Sequence, residues 1–151
     1  MSEMVNGIAW DDRLKLGHSQ VDEQHKRLFD LVGELVNQCL CGTNVEKLKE
    51  TLNFLVDYTV RHFYDEESLQ VEYNFPEYAN HKKMHEAFKV TVGELVRRFE
   101  ENASSEELSN DVNKIVVRWL VSHIQMEDKK IGRHIRNVTA LSRGYSSAGS
   151  S

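Results

Sequence analysis

Four long stretches of this chain carry core-type side chains in alternating steps of four and three, the spacing of one face of an α-helix. In the first, His25, Phe29, Val32, Val36 and Cys39 fall on one line. The second carries Leu48, Leu52, Leu55, Thr59, His62, Glu66, Leu69 and Tyr73. The third carries Tyr78, His81, His85, Phe88, Val92, Leu95 and Phe99, and the fourth Val112, Val116, Trp119 and His123. One proline and eight glycines in 151 residues leave little to interrupt such helices.

The first helix is expected from Ser19 to Cys41, ending at Gly42. Capping-box strings, Thr43 to Glu46 and Ser104 to Glu107, mark the starts of the second and fourth, and Pro76 opens the third. The fourth is expected to end near Asn137. Linkers this short set neighbours antiparallel, so the expected fold is all-α, an antiparallel up-down-up-down four-helix bundle. Residues 1–18 form an N-terminal arm carrying Trp10, and 19–137 the bundle. The Ser/Gly-rich residues 138–151 are expected to be a flexible tail or linker.

A net charge of -5 argues against nucleic acid or an anionic membrane as the main partner. No apolar run approaches transmembrane length, and the start, MSEMVNGIAWDD, lacks the regions of a signal peptide. A cytoplasmic protein is expected. Cys39 and Cys41 are too close for an unstrained disulfide and too few for a zinc site, so they read as reduced thiols near a helix end.

The functional signal lies in what interrupts the apolar lines. Every line carries histidine, and one carries a glutamate in its middle. His25 lies early in helix one, His62 and Glu66 late in helix two, His81 and His85 early in helix three, and His123 late in helix four. In an antiparallel bundle these positions share one end, within roughly 20 Å of it at 1.5 Å rise per residue. A lone histidine on an apolar face is ordinarily a satisfied core residue. Five of them around a buried carboxylate need a common partner, and a metal centre supplies it. His18 and His134 need no such explanation. The set exceeds the ligands of one tetrahedral zinc and suits a pair of six-coordinate ions, for which iron is the natural candidate.

Two such ions need a second bridging carboxylate. Ideal helix arithmetic nominates Glu127, four residues after His123. A neighbouring apolar line, Val117, Val121, Ile124, Asp128, Ile131, Ile135 and Val138, favours Asp128 instead. On a regular helix Asp128 stands roughly 140° round from His123, so it serves only if the helix is locally unwound or the metals lie between the two lines.

The strings VDEQH, HFYDEE, YNFPEYANHKKMHEAF and WLVSHIQMED together resemble the hemerythrin family, over about Trp10 to Ile135. The resemblance implies a non-haem di-iron centre. One iron would take His81, His85 and His123, and the other His25 and His62 with one position open. Glu66 and Asp128, rather than Glu127, would bridge both, with an oxo or hydroxo group as a third bridge. Dioxygen would bind end-on at the open iron as a hydroperoxide, the irons supplying the electrons. Phe63, Trp119 and Ile124 are candidates for the apolar wall, and each reads equally well as plain core. Two departures stand out. Gln70 replaces the family's usual methionine, and Ile131 and His134 stand where tyrosines are common. The implied function is reversible dioxygen binding for storage, delivery or sensing, without enzymatic turnover. The alternative is an O2- or redox-sensing module regulating a partner or a fused output domain. A ferritin-like oxidase is disfavoured, because the chain contains no Glu-x-x-His pair.

Overall fold

The computed structural model describes residues 10–41, 45–100, 107 and 110–149. The long elements are α1 (Ser19–Cys41), α2 (Val45–Glu72), α3 (Tyr78–Glu100) and a fourth rod, α4, over residues 112–149. α1 packs on α2 and α2 on α3, and the start of α4 packs on both α1 and α3. This is the four-helix bundle expected, and no strand occurs among the described residues. The two capping-box strings include residues 43–44 and 104–106, which lie outside the described residues.

Local chemistry sets the ends near the polar layer. α2 stops because Asn74 adopts a left-handed conformation, φ 54. The Asn74 N–H then donates to Val71 O and the Phe75 N–H to Gln70 O, while Phe75 packs with Leu69. That is the hydrogen-bond pair and apolar contact of a Schellman stop. The arm is held just as firmly. The Asp22 carboxylate accepts from Leu16 N at 2.7 Å and Gly17 N at 3.2 Å, and Gly17 takes φ 96 where the arm turns into α1. The His18 imidazole accepts from Val21 N at the start of α1.

Two apolar clusters result. The larger includes Leu28, Phe29, Leu55, Phe63, Phe88, Leu120 and Ile124. The smaller joins Leu16 of the arm to Val21, Leu69, Phe75 and Ile131. On α1, α2 and α4 the histidine-bearing level falls between members of the two clusters.

α4 departs from expectation twice. It remains helical to Gly149, where the sequence reading ends it near Asn137 and continues with a tail. Residues 138–149 contain no proline, and Val138 and Leu141 extend the apolar line of Ile131 and Ile135, though both are exposed. Nor is the rod a regular α-helix: Val112–Val117 and His123–Asp128 are π-helical.

Candidate metal centre

All seven residues nominated from the sequence meet in one buried layer. None of His25, His62, Glu66, His81, His85, His123 and Asp128 is more than 5% exposed. The π-helical segment His123–Asp128 decides the second carboxylate. A π turn stacks residue i+5 over residue i, so five residues separate side chains on one face instead of four. Asp128 thereby points with His123 into the layer, fully buried, whereas Glu127 turns away and pairs with Lys130 at 3.1 Å.

The carboxylates divide the layer in two. Glu66 Oε1 lies 2.9 Å from His81 Nε2 and 3.4 Å from His85 Nε2. Asp128 Oδ1 lies 3.1 Å from the Nε2 atoms of both His81 and His123. The other oxygens face the other way. Glu66 Oε2 lies 3.2 Å from His25 Nε2 and 3.1 Å from His62 Nε2, and Asp128 Oδ2 lies 3.0 Å from His25 Nε2. Each carboxylate thus offers one oxygen to a three-histidine group and one to a two-histidine group. Within each group the donor atoms lie within 4.8 Å of one another.

The donors also fit a metal in their protonation. His62 Nδ1 stands 2.7 Å from the Gln24 amide oxygen, and His85 Nδ1 stands 2.9 Å from a Glu67 carboxylate oxygen. Those oxygens can only accept, so the protons sit on Nδ1 and the Nε2 lone pairs face the layer. Gln24 is itself oriented by donating to Asp65 at 2.7 Å. His62 Nε2 makes no hydrogen bond in the protein, and its lone pair faces Glu66 Oε2 at 3.1 Å. Buried lone pairs converging without hydrogens between them are costly unless a cation joins them.

Charge balance gives the same result. Burial works against a proton on His25, but Asp128 and Glu66 outweigh it and lift the imidazole to about 9. The same contest lifts His81 to about 10. Burial holds His62 below its ordinary value. Glu66 overcomes its burial through four facing imidazoles and titrates well below the carboxylate range, and Asp128 is also lowered. Without metal, protons on His25 and His81 neutralise the pair, and a metal would displace them.

The wall candidates stand against the layer. The Phe63 ring stacks on His85 at 3.7 Å between centroids, and Trp119 stacks on His123 at 4.4 Å. Ile124 is buried in the core. Gln70 is fully buried, and neither atom of its amide is hydrogen-bonded in the protein. His18 and His134 stay outside the layer, His134 donating to Tyr73 O at 2.7 Å. Sequence reasoning missed the supporting residues Gln24, Asp65 and Glu67. Their only signal was adjacency to ligand positions within VDEQH and HFYDEE.

Comparison with known proteins agrees with this geometry. The family model described as a hemerythrin HHE cation binding domain matches residues 16–135. A bacteriohemerythrin of Stenotrophomonas maltophilia (strain R551-3) is 30% identical over 145 residues, covering 94% of this chain and 91% of that protein. A bacteriohemerythrin of Methylococcus capsulatus (strain ATCC 33009 / NCIMB 11132 / Bath) is 33% identical over 111 residues, covering 74% and 82%. A crystal structure of wild-type hemerythrin superposes with a TM-score of 0.70 at 27% identity, covering 83% of this chain and 95% of that one. With a family model spanning the whole buried layer, the chain belongs to the hemerythrin family.

Proposed function

We propose that this protein binds dioxygen reversibly at a non-haem di-iron centre and is a carrier, store or sensor of oxygen rather than an enzyme. The observation that carries the reading is the division of Glu66 and Asp128 between a three-histidine and a two-histidine group. His81, His85 and His123 would hold one iron, and His25 and His62 the other, with both carboxylates bridging. Two ferrous ions there would supply the electrons needed to hold dioxygen.

The chain's own residues then set the terms. With one histidine fewer, the His25 and His62 side leaves room for a ligand. Gln24 and Glu67 aim the imidazoles, and Phe63, Trp119 and Ile124 exclude water from the layer. Five neutral imidazoles against two carboxylates favour the lower oxidation state, which supports reversible binding over oxidative turnover. No helix of the described residues is long and apolar enough to cross a membrane, and we place the protein in the cytoplasm.

Anaerobic reconstitution with Fe(II), iron counting and optical spectra with and without O2 test this directly. Two irons per chain and an absorption band that appears with O2 and disappears on its removal are expected. One zinc per chain with no O2-dependent spectrum would overturn it. His62→Ala is expected to lose the two-histidine iron first, and full O2 binding in that variant would contradict the assignment. The sensing role draws support from α4, which carries His123 and Asp128 and runs unbroken to Gly149. Hydrogen exchange over residues 138–149 should then differ between the O2-free and O2-bound protein. Identical exchange would argue for storage or delivery.

A further inference from the structure

We propose that the groove between α3 and α4 is a docking site for a small, planar, anionic reductant, of the chemistry of a reduced flavin mononucleotide. From there it returns electrons to the centre through Trp119 and His123. The electron-transfer half rests on the di-iron reading above; the binding half does not.

Three observations meet at this groove. It has a volume of about 550 Å³, and its lining includes Met84, Lys114, Ile115, Arg118, Trp119 and His123. That is the size of a small-molecule site. His123 is the least buried of the seven layer residues, at 5% exposed, and the half-buried Trp119 ring lies flat against it. The groove therefore comes within one ring of the layer.

The second observation is charge. Lys114 and Arg118 stand one helical turn apart, both exposed, and neither makes an ion pair among the described residues. The one carboxylate in the lining, Glu127, is engaged by Lys130 at 3.1 Å. In a chain of net charge -5, this leaves a local pair of cations beside apolar Met84 and Ile115. Such a pair suits a phosphate, and the apolar stretch suits a ring system.

The third is backbone. The π-helical segment His123–Asp128 is accounted for by the position of Asp128, but Val112–Val117 is π-helical too and holds no metal-layer residue. Such segments concentrate at functional sites. This one carries Lys114 and Ile115 into the lining.

A sealed centre that slips to the ferric state regains its electrons only across the protein shell. The reduced flavin anion would give up two electrons and one proton and leave as the oxidised flavin. Each of two ferric ions would take one electron and become ferrous, and the proton would pass to solvent at the groove mouth.

Titration of the metal-free protein with oxidised flavin mononucleotide, read by flavin fluorescence, tests the site. Saturable quenching is expected. The double variant Lys114→Glu/Arg118→Glu should weaken it by about tenfold or more, and riboflavin, lacking the phosphate, should bind wild type comparably weakly. No saturable binding, or equal affinity in the double variant, overturns the site. In iron-loaded protein, the double variant should slow anaerobic reduction by reduced flavin mononucleotide by about tenfold and leave reduction by a neutral hydroquinone unchanged. An equal effect on both reductants, or none on either, overturns the electron route. Failure to load two irons would break the di-iron reading, while the metal-free titration would still decide the groove.

Discussion

At the level of single residues, the centre depends on side chains that hold no metal. Gln24 presents its carbonyl oxygen to His62 Nδ1 at 2.7 Å because Asp65 fixes its amide at the same distance. Removing that acceptor frees the imidazole to rotate and to change tautomer. Gln24→Ala is expected to weaken metal binding by about 10–100-fold without changing the fold. Competition with a chelator measures the first and circular dichroism the second; undiminished affinity would show the hydrogen bond to be incidental. Gln70 was legible as a departure in the sequence, but its consequence was not. Only packing shows an amide with 0% exposure and no hydrogen-bond partner in the protein. Gln70→Met is therefore expected to stabilise the metal-free protein by about 1–3 kcal/mol, measured by urea denaturation; destabilisation would mean that the amide is satisfied.

Among the elements, α4 matters most, because its irregularity is functional. The π-helical segment His123–Asp128 brings a residue five positions along onto the face of His123. Deleting Gln125 would put Asp128 four residues after His123, the spacing that keeps both on one face of a regular α-helix. The variant is expected to become regular α-helix there and to keep its metal loading, by circular dichroism and metal analysis. Loss of metal would show that the π turn itself, and not only the shared face, is required. The meeting of arm and α4 is equally tight. A Cβ on Gly132 would come within 3.0 Å of the Leu16 Cα and carbonyl oxygen, both backbone atoms that cannot swing aside. Gly132→Ala should cost about 1–3 kcal/mol of stability in urea denaturation.

For the whole molecule, the buried layer links stability to pH with opposite signs in the metal-free and metal-loaded states. The folded protein lifts His25 to about 9 and His81 to about 10 from the ordinary 6.5. Their contribution is complete below pH 6.5 and is lost as pH rises through 9 to 10. Glu66 is depressed below its ordinary 4.5, so its contribution is present above that pH and lost as pH falls through its folded value. His62 is depressed below the same 6.5, so its contribution is present above that pH and lost below it. The metal-free protein should melt highest near pH 6.5 and lower toward both acid and pH 10. Metal binding releases the same protons, so the gain in melting temperature on metal addition should grow with pH. Melting curves with chelator and with metal decide it; parallel profiles would mean that the metal binds elsewhere.

The sequence by itself determined the bundle, because helical periodicity is a local property that three-and-four spacing displays directly. It also determined which histidines leave the apolar lines and that they share one end. It could not choose between Glu127 and Asp128 from spacing, since that choice turns on a backbone hydrogen-bond shift with no signature in residue type. Nor could it find the partition of each carboxylate between two histidine groups, or the supports Gln24 and Glu67. Those depend on separations of 2.7 to 3.4 Å between side chains on different helices. Such distances exist only once all four helices have packed and the arm has closed the end of the layer.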